Sequence, residues 1–514
     1  MQNEYGTWEE DRKKVSWKEM ILGVILGLLI GSVLVLGPEN VWKFIRTAPN
    51  RFYDTAPFNE GIEITGYYGM ENELVIPESL HGKPVLGIGA SAFDYNRNLT
   101  EVVIPDSVQT IQSAAFRGCR ELKRVTLGAG LETICEKAFE GCSSLEQIVI
   151  PRNVHSIKRG AFANCMFLKD ITLPDGLTEI DTEAFSGCMS LPEIILPEGL
   201  TELGAGAFYS CSDLTWIRIP DGVEEIQEAT FMHCYRLESV TLGARVKSIG
   251  EHAFEYCDEL KDLTLPDSVT EIGKSAFENC FALPEMRLPD GITEIGEYTF
   301  AYCNSLRHVD LPQTLTGIGN YAFRHCIALT EIDLPLGLKT IGSDAFLDCE
   351  SLTWVGLPGS VSKMGFSAFE NCTSLTGVTI PADMKELPSG AFKGCSALRN
   401  VLFHEGLESL GADAFSGCIS LTAVELPEDI PYLGFGVFAD CTGLQSVILP
   451  ENLVSLSDRA FTGCTALKEI TVPEKVQLIA EDAFEGCSLT VNLPHRAEDY
   501  AILPAGDGIV LNLP

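Results

Sequence analysis

The stretch AFSGCMSLPEIILPEGLTELGAG, residues 184–206, is one copy of the 23-residue unit that decides the fold of this chain. Its phenylalanine, Phe185, recurs every 23 residues from Phe93 to Phe484, without an insertion or a deletion. Eighteen copies in strict register cannot arise by chance. A fixed period of this length indicates a repeat architecture in which each unit stacks on the next.

The other columns of the unit are almost as regular as the phenylalanine, which we number as position 0. Position −1 is Ala in fifteen of the eighteen copies, and position +6 is Leu from Leu99 to Leu467. Position +3 is Cys in seventeen copies, from Cys119 to Cys487, and Asn96 in the first. Positions +9, +11, +15 and +18 are aliphatic, and position +12 is usually Pro.

These columns predict the shape of one unit. Apolar and variable residues alternate from +8 to +11, which indicates a short strand with +9 and +11 facing the core. Proline at +12 ends the strand because it has no N–H to donate. Position +2 is Gly, Asn or Asp in twelve copies, which predicts a positive φ there. We therefore expect a β-rich solenoid of 18 turns with short parallel strands, ~85 Å long at ~4.8 Å per turn.

The pattern LxxVxLPxxLxxIGxxAFxxC resembles the leucine-rich repeats of the BspA-like, or treponemal, type. The run ITGYYGMENELVIPESLHGKPVLGIGASAF, residues 64–93, is similar to the cap that opens many of those arrays. The resemblance implies a leucine-rich-repeat solenoid at a bacterial surface, often linked to adhesion or protein binding, with no catalytic residues and no cofactor. We expect an N-terminal cap at 59–92, the repeat array at 93–494 and a C-terminal cap or tail at 495–514.

One segment before the array predicts a membrane anchor. Residues 20–37, MILGVILGLLIGSVLVLG, form an uncharged run long enough to cross a bilayer as a helix. No cleavage site of the small-x-small type follows it, so we expect an uncleaved transmembrane helix rather than a signal peptide. Residues 1–19 would form a short cytoplasmic tail and residues 38–58 a juxtamembrane linker.

The orientation of this anchor and its self-association are further expectations. Four basic residues precede the apolar run and three follow it, a weak positive-inside signal that places the repeat domain outside the cell. The resemblance to surface proteins favours the same orientation. Gly23, Gly27 and Gly31 share one face of the helix, a spacing that favours homodimerisation in a bilayer, although glycine is also common in membrane helices without it.

Composition and motifs narrow the classes of function. Asp and Glu outnumber Lys and Arg by 72 to 36, so nucleic acid is not an expected partner, since phosphate binding needs clustered positive charge. The chain has no nucleophile elbow, phosphate loop or metal motif. We therefore predict a surface protein that binds a protein or glycan and is not an enzyme. The alternative is a structural spacer, or self-assembling envelope component, without a specific ligand.

The row of cysteines needs its own explanation. Parallel side chains about 4.8 Å apart are poorly placed for disulfides, which need converging side chains with Cβ atoms ~3.8 Å apart. No CxxC pair occurs, and the eighteenth thiol, Cys135, lies at a different offset. We expect buried, reduced thiols that act as small core residues, with disulfides and metal or redox sites as the alternatives.

A partner-binding site has to lie in the variable columns, and two sets stand out. On the strand, positions +8 and +10 point outward, and we expect them on the concave face. This first set, the strand-face set, consists of Trp216, Arg218, Arg287, His308, Asp310, Asp333 and Trp354. An outward Trp is typical of an interface anchor, although a single Trp also simply covers its neighbours.

The second set is a run of aromatic and histidine residues near the phenylalanines of turns seven to eleven. It contains His233, Tyr235, His252, Tyr256, Phe281, Tyr298, Tyr302, Tyr321 and His325. Because matching offsets on successive turns are neighbours in space, these residues should form a strip along one flank. We call this set the flank strip. It suits a protein or sugar surface, although local drift between related turns would produce the same pattern.

Overall fold

The structure is a computed structural model that describes residues 50–496, Tyr500, Pro504 and residues 508–513. These residues form a β-solenoid of about 19 turns, so the predicted solenoid is confirmed. We number the turns by their phenylalanines, from turn 1 (Phe93) to turn 18 (Phe484). Nearly every turn contributes short strands to two parallel ladders, one at positions +8 to +10 and one at positions +17 and +18.

The strands of the first ladder are those predicted from the alternation before the proline. They are Glu101–Val103, Arg124–Thr126, Gln147–Val149, Asp170–Thr172, Trp216–Arg218, Ser239–Thr241, Asp262–Thr264, Glu285–Arg287, His308–Asp310, Glu331–Ile332, Trp354–Val355, Gly377–Thr379, Asn400–Leu402, Ala423–Glu425, Ser446–Ile448 and Glu469–Thr471. Turn 5 joins the ladder through an isolated bridge between Glu193 and Trp216.

The strands of the second ladder span only two residues each. They are Thr110–Ile111, Thr133–Ile134, Ser156–Ile157, Glu179–Ile180, Glu202–Leu203, Glu225–Ile226, Ser248–Ile249, Glu271–Ile272, Glu294–Ile295, Gly317–Ile318, Thr340–Ile341, Lys363–Met364, Glu386–Leu387, Ser409–Leu410, Ser455–Leu456 and Leu478–Ile479.

In both ladders, residues that pair between neighbouring strands are 23 positions apart, which is the period of the sequence. Trp216 pairs with Ser239, which pairs with Asp262, so each residue lies beside the residue 23 positions further on. In the strand Trp216–Arg218 the middle residue is buried and both ends are exposed. The predicted inward +9 column and outward +8 and +10 columns are thereby confirmed.

The centre of the solenoid is a stack of phenylalanine rings. Consecutive rings from Phe93 to Phe484 lie 4.7 to 5.7 Å apart between centroids and are nearly parallel. Parallel rings at this spacing add to the hydrophobic gain of burying them. A side chain missing from this column would leave a cavity that the neighbouring turns cannot fill.

The cysteine column lies beside the rings and is tied to them. All seventeen thiols at position +3 are buried and free, and each donates to the carbonyl oxygen of the phenylalanine one turn earlier. The Sγ–O distance is 3.1 Å for Cys119 and 3.3 Å for Cys188. Burial raises the pKa of Cys211 to about 12, since a thiolate would be desolvated there. The prediction of buried thiols is confirmed. The structure adds a hydrogen bond from each of these thiols to the preceding turn.

Backbone hydrogen bonds also join the turns along a third side, around the phenylalanines. The amide of Phe116 donates to the carbonyl of Ala138 at 2.8 Å, and the amide of Gly118 donates to Glu140 at 2.6 Å. All eighteen residues at +2 have a positive φ, from 52° to 76°, which confirms the prediction for that column. Seventeen of the eighteen residues at −2 have a positive φ as well, a feature the sequence pattern did not indicate.

The N-terminal cap is a small sheet of mixed direction. A 3-10 turn (Asn50–Phe52) leads into β1 (Tyr53–Phe58), which pairs antiparallel with β2 (Gly61–Tyr67). The next strands in the cap are β3 (Glu73–Val75), β4 (Ser79–Leu80) and β5 (Lys83–Ile88). β2 pairs in parallel with β5, and β5 with the first strand of the second ladder, while β3 joins the first ladder.

Strands occur near both ends of the described chain, each paired to a different ladder. β1 lies within the segment 38–58 that the sequence analysis assigns to a linker, and it forms part of the cap because it pairs with β2 along its whole length. At the other end Leu489–Asn492 extends the first ladder, and Ile509–Asn512 pairs with it in parallel. Among the described residues no helix is long and apolar enough to cross a membrane. Residues 20–37, with Gly23, Gly27 and Gly31, lie outside them.

Candidate partner-binding surfaces

The strand-face set lies along one side of the first ladder, but it is spread out. Trp216 and Trp354 are 39% and 52% exposed, and the six turns between them correspond to ~29 Å. They cannot hold one small ligand together. They can contact a single extended partner that follows the ladder.

Most polar members of this set are already paired within the solenoid. The Trp216 ring N–H donates to Glu193 at 3.2 Å, and Arg218 pairs with Glu198. His308 contacts Asp310 at 2.9 Å between ring nitrogen and carboxylate oxygen. Arg287 pairs with Asp267 at 3.0 Å, whereas Asp333 is exposed. These pairs are solvent-exposed and contribute little to stability.

A groove runs beside the strand-face set where the ladder meets the proline turn. Near Trp354 its volume is about 640 Å³, and it is lined by Gly356, Thr379, Asn400 and Leu402. A similar groove of about 650 Å³ lies over turns 1 to 4, with Val149 exposed on it. The groove is open and shallow, which suits an extended chain better than an enclosed small molecule.

Residues of the flank strip form two separate groups of rings in contact. The ring of His233 stacks on Tyr256 at 4.9 Å and contacts Tyr209 and Tyr235, each at 5.5 Å between centroids. A second group lies in turns 10 and 11. There Tyr298 stacks on Tyr321 at 4.5 Å, and Tyr302 contacts His325 at 5.4 Å. Whether these groups bind a partner stays a prediction.

The backbone under the flank strip is unusual. Seven of its nine residues occupy the −2 or +2 columns with φ between 56° and 63°; these are His233, His252, Tyr256, Tyr298, Tyr302, Tyr321 and His325. A bulky L-residue in this conformation is less stable than glycine by roughly 1–2 kcal/mol. Other turns place Gly at the same positions, for example Gly141 and Gly187. The rings therefore stand where the backbone conformation itself favours glycine.

Charged groups among the rings were not identified from the sequence. Glu255 is buried and contacts the His252 ring nitrogen at 2.6 Å. Burial raises the pKa of Glu278 and that of Asp258, since neither carboxylate has enough compensating charge. One carboxylate oxygen of Asp258 is buried without a hydrogen-bond partner. Their only signal in the sequence is an acidic residue beside an aromatic column.

Arg324 is a further residue that the sequence analysis missed. Its guanidinium lies over the rings of Tyr302 and Tyr321, at 5.9 and 5.5 Å from their centroids. The charge of an arginine over a ring face is stabilised by the ring quadrupole. No group of His, Cys, Asp and Glu side chains in the described part of the chain could hold a metal ion.

Parallel 23-residue turns with an inward Leu, Cys and Phe define a leucine-rich-repeat solenoid. A sequence model of the BspA-type leucine-rich-repeat region matches residues 86–212, 155–284, 270–399 and 362–490. The chain therefore belongs to the BspA-type leucine-rich-repeat family. The predicted family is confirmed. None of the curated proteins matches the sequence.

Two solved structures illustrate the relationship. A leucine-rich repeat protein from Bacteroides ovatus is 27% identical, with a TM-score of 0.50 over 82% of this chain and 93% of that chain. A leucine-rich cell surface protein from Faecalibacterium prausnitzii is 28% identical, with a TM-score of 0.40 over 69% of this chain and 94% of that chain. Leucine-rich repeats are a non-enzymatic fold class.

Proposed function

We propose that the protein is a membrane-anchored surface protein whose solenoid binds a protein or glycan partner, in adhesion to host or neighbouring cells. The observation that carries the proposal is the placement of rings in the left-handed columns of turns 7 to 11. The left-handed backbone is common to the turns, so the bulky rings are what distinguishes turns 7 to 11, and bulky residues held in such a conformation are concentrated at functional sites. The apolar run 20–37 supports an anchor in the lipid bilayer. No catalytic or cofactor role is proposed.

Binding tests the proposal directly. The full chain in detergent is applied to an array of purified matrix proteins and glycans, beside a variant with Trp216, Trp354, Tyr298 and Tyr302 all changed to Ala. We expect specific capture by at least one partner and a loss of about tenfold or more in the variant, as for interface anchors. Equal capture by both proteins would remove these residues from the site, and no capture of any partner would favour the structural-spacer alternative.

Orientation decides which partners can reach the solenoid. In a Cys135→Gly background, which removes the one partly exposed native thiol, a cysteine replaces Asn3 or Leu513 and intact cells receive an impermeant maleimide. We expect labelling of the C-terminal position only. Labelling of the N-terminal position instead would place the repeats inside the cell.

Association through the membrane segment is the basis of the spacer alternative. Gly23, Gly27 and Gly31 would let two helices approach closely. If they do, Gly27→Leu abolishes dimers in chemical cross-linking while the monomer keeps its fold. If dimers persist in Gly27→Leu, another surface holds them together.

A further inference from the structure

Two tyrosines at position +2 are covered by an arginine of the following turn. Tyr95 of turn 1 has Arg117 over its ring at 5.4 Å, and the Nε of Arg117 donates to Asp94 at 3.0 Å. Tyr302 of turn 10 has Arg324 over its ring at 5.9 Å. In both cases the arginine occupies position +1 of the next turn. In both places, an arginine at position +1 therefore lies over a tyrosine at position +2 of the preceding turn.

Tyr256 of turn 8 lacks this cation. At position +1, turn 8 itself carries Glu255 and the following turn carries Glu278. The equivalent residues of turns 1 and 2 are Asp94 and Arg117, so at Tyr256 a second carboxylate takes the place of the arginine. Tyr256 and Glu278 interact electrostatically, and burial raises the pKa of Glu278. Among the described residues the basic group that acts on Glu278 is His252, which is already bound to Glu255.

The residues around Glu278 form a gap in the ring columns. Turn 9 carries Ser275 and Asn279 at −2 and +2, only 5% and 8% exposed, while the turns before and after it carry rings at both positions. Tyr256 and Tyr298 stand two turns apart, in the +2 and −2 columns, and each interacts electrostatically with Glu278. A cation beside Glu278 would be placed next to ring faces, which attract cations within ~6 Å.

The orientation of the rings favours a protein over a sugar. His233 covers one face of Tyr256, and Tyr321 covers one face of Tyr298. Both of these stacking partners lie on the side away from turn 9, and a sugar ring needs a broad open face. A side chain that enters end-on needs only the gap. The net charge of −36 also attracts basic partners over distance.

We propose that Tyr256, Glu278 and Tyr298 bind the guanidinium or ammonium group of an arginine or lysine on a protein partner. This inference rests on the proposed function, which it deepens by assigning the chemistry of one contact. The partner's cation takes the place that Arg117 and Arg324 hold over Tyr95 and Tyr302. It contacts the ring faces on both sides and neutralises the carboxylate beneath.

The test uses immobilised twelve-residue peptides of Gly, Ser and Ala that carry one central Arg, Lys, Gln or Glu, with the full chain in detergent and biolayer interferometry. We expect the Arg and Lys peptides to bind at least about fivefold more tightly than the Gln peptide. Tyr256→Ala, Tyr298→Ala and Glu278→Gln should each reduce that affinity about fivefold to thirtyfold. Glu278→Arg should abolish the preference, because it supplies the missing cation from within the chain.

Matched controls separate the site from the bulk charge. Glu140→Gln removes the same charge from the same column, and Tyr95→Ala removes a ring from the same column; both should stay within about twofold of the unchanged chain. Equal affinity for the Arg and Gln peptides, or equal losses in Glu140→Gln and Glu278→Gln, would overturn the inference. If no peptide binds while matrix partners are still captured through the tryptophan face, the inference fails and the proposed function stands.

Discussion

The residues at −2 and +2 separate ordinary turns from those of the flank strip. Both columns hold a left-handed backbone, which favours Gly and, to a smaller degree, Asn and Asp. Ring stacking, worth about 0.5–1.5 kcal/mol per pair, offsets part of the backbone strain at Tyr256 and Tyr298. The backbone alone favours glycine there, and the proposed contact with a partner accounts for the rings.

Left-handed backbone strain should give effects of opposite sign on stability at two positions of the +2 column. Gly141 has φ 70°, and a Cβ there would meet nothing closer than 3.7 Å, so Gly141→Ala tests the backbone alone. We expect a loss of about 1 kcal/mol in the free energy of unfolding. Ser210→Gly, at φ 56°, should gain up to about 1 kcal/mol by the same principle. Urea unfolding followed by circular dichroism measures both, and a Gly141→Ala protein as stable as the parent would contradict the argument.

At the scale of the element, the unit of this structure is the turn. The Phe stack, the Cys–carbonyl bond and two strand ladders all connect one turn to the next. Stability is then close to a sum over turns and the contacts between neighbours. A change that preserves the period should therefore be tolerated, and one that breaks it should not.

Deleting one whole turn tests this directly. Removal of residues 392–414 joins Ala391 to Phe415 and restores the Ala-Phe pair of every turn. We expect a cooperative fold with a melting temperature within a few degrees of the parent, since all other contacts between turns are kept. Removal of residues 393–414 leaves one residue too many and shifts the strand beside its neighbour, which exposes its core side chains. Equal melting of the two deletions would show that the register does not matter.

The sequence predicts most of the turn, but not all of it. Alternation and proline predict the first strand, and the Gly and Asn at +2 predict one left-handed column. The second strand, such as Ser156–Ile157, is too short to show an alternation. The −2 column is filled by residues such as Ala114, Lys137 and Glu183, which give no sign of a positive φ. The acceptor of each thiol lies in another turn, so spacing within one unit cannot indicate it.

At the scale of the whole molecule, the candidate site is only partly readable from the sequence. The aromatic columns predict the flank strip because equal offsets are neighbours in a solenoid. The gap at Glu278 is different, since it is visible only once Arg117 and Arg324 are seen over their tyrosines. Trp216 and Trp354 share a face, but distance along the ladder keeps them apart. The inward-facing columns pack the core, whereas the outward-facing columns are available for contact with partners.

The number of cysteines that react in the native protein tests most directly whether the inward-facing columns form the core. All eighteen cysteines lie in the described part of the chain, seventeen of them buried and only Cys135 partly exposed. Titration with Ellman's reagent at pH 8 should find one thiol that reacts in the native protein, Cys135, although partial burial raises its pKa and slows it relative to a free thiol. Because burial opposes thiolate formation, the other seventeen should react only after unfolding in urea, for a total of eighteen. Two or more reactive thiols in the native protein, or fewer than eighteen after unfolding, would contradict a core built from a column of free cysteines.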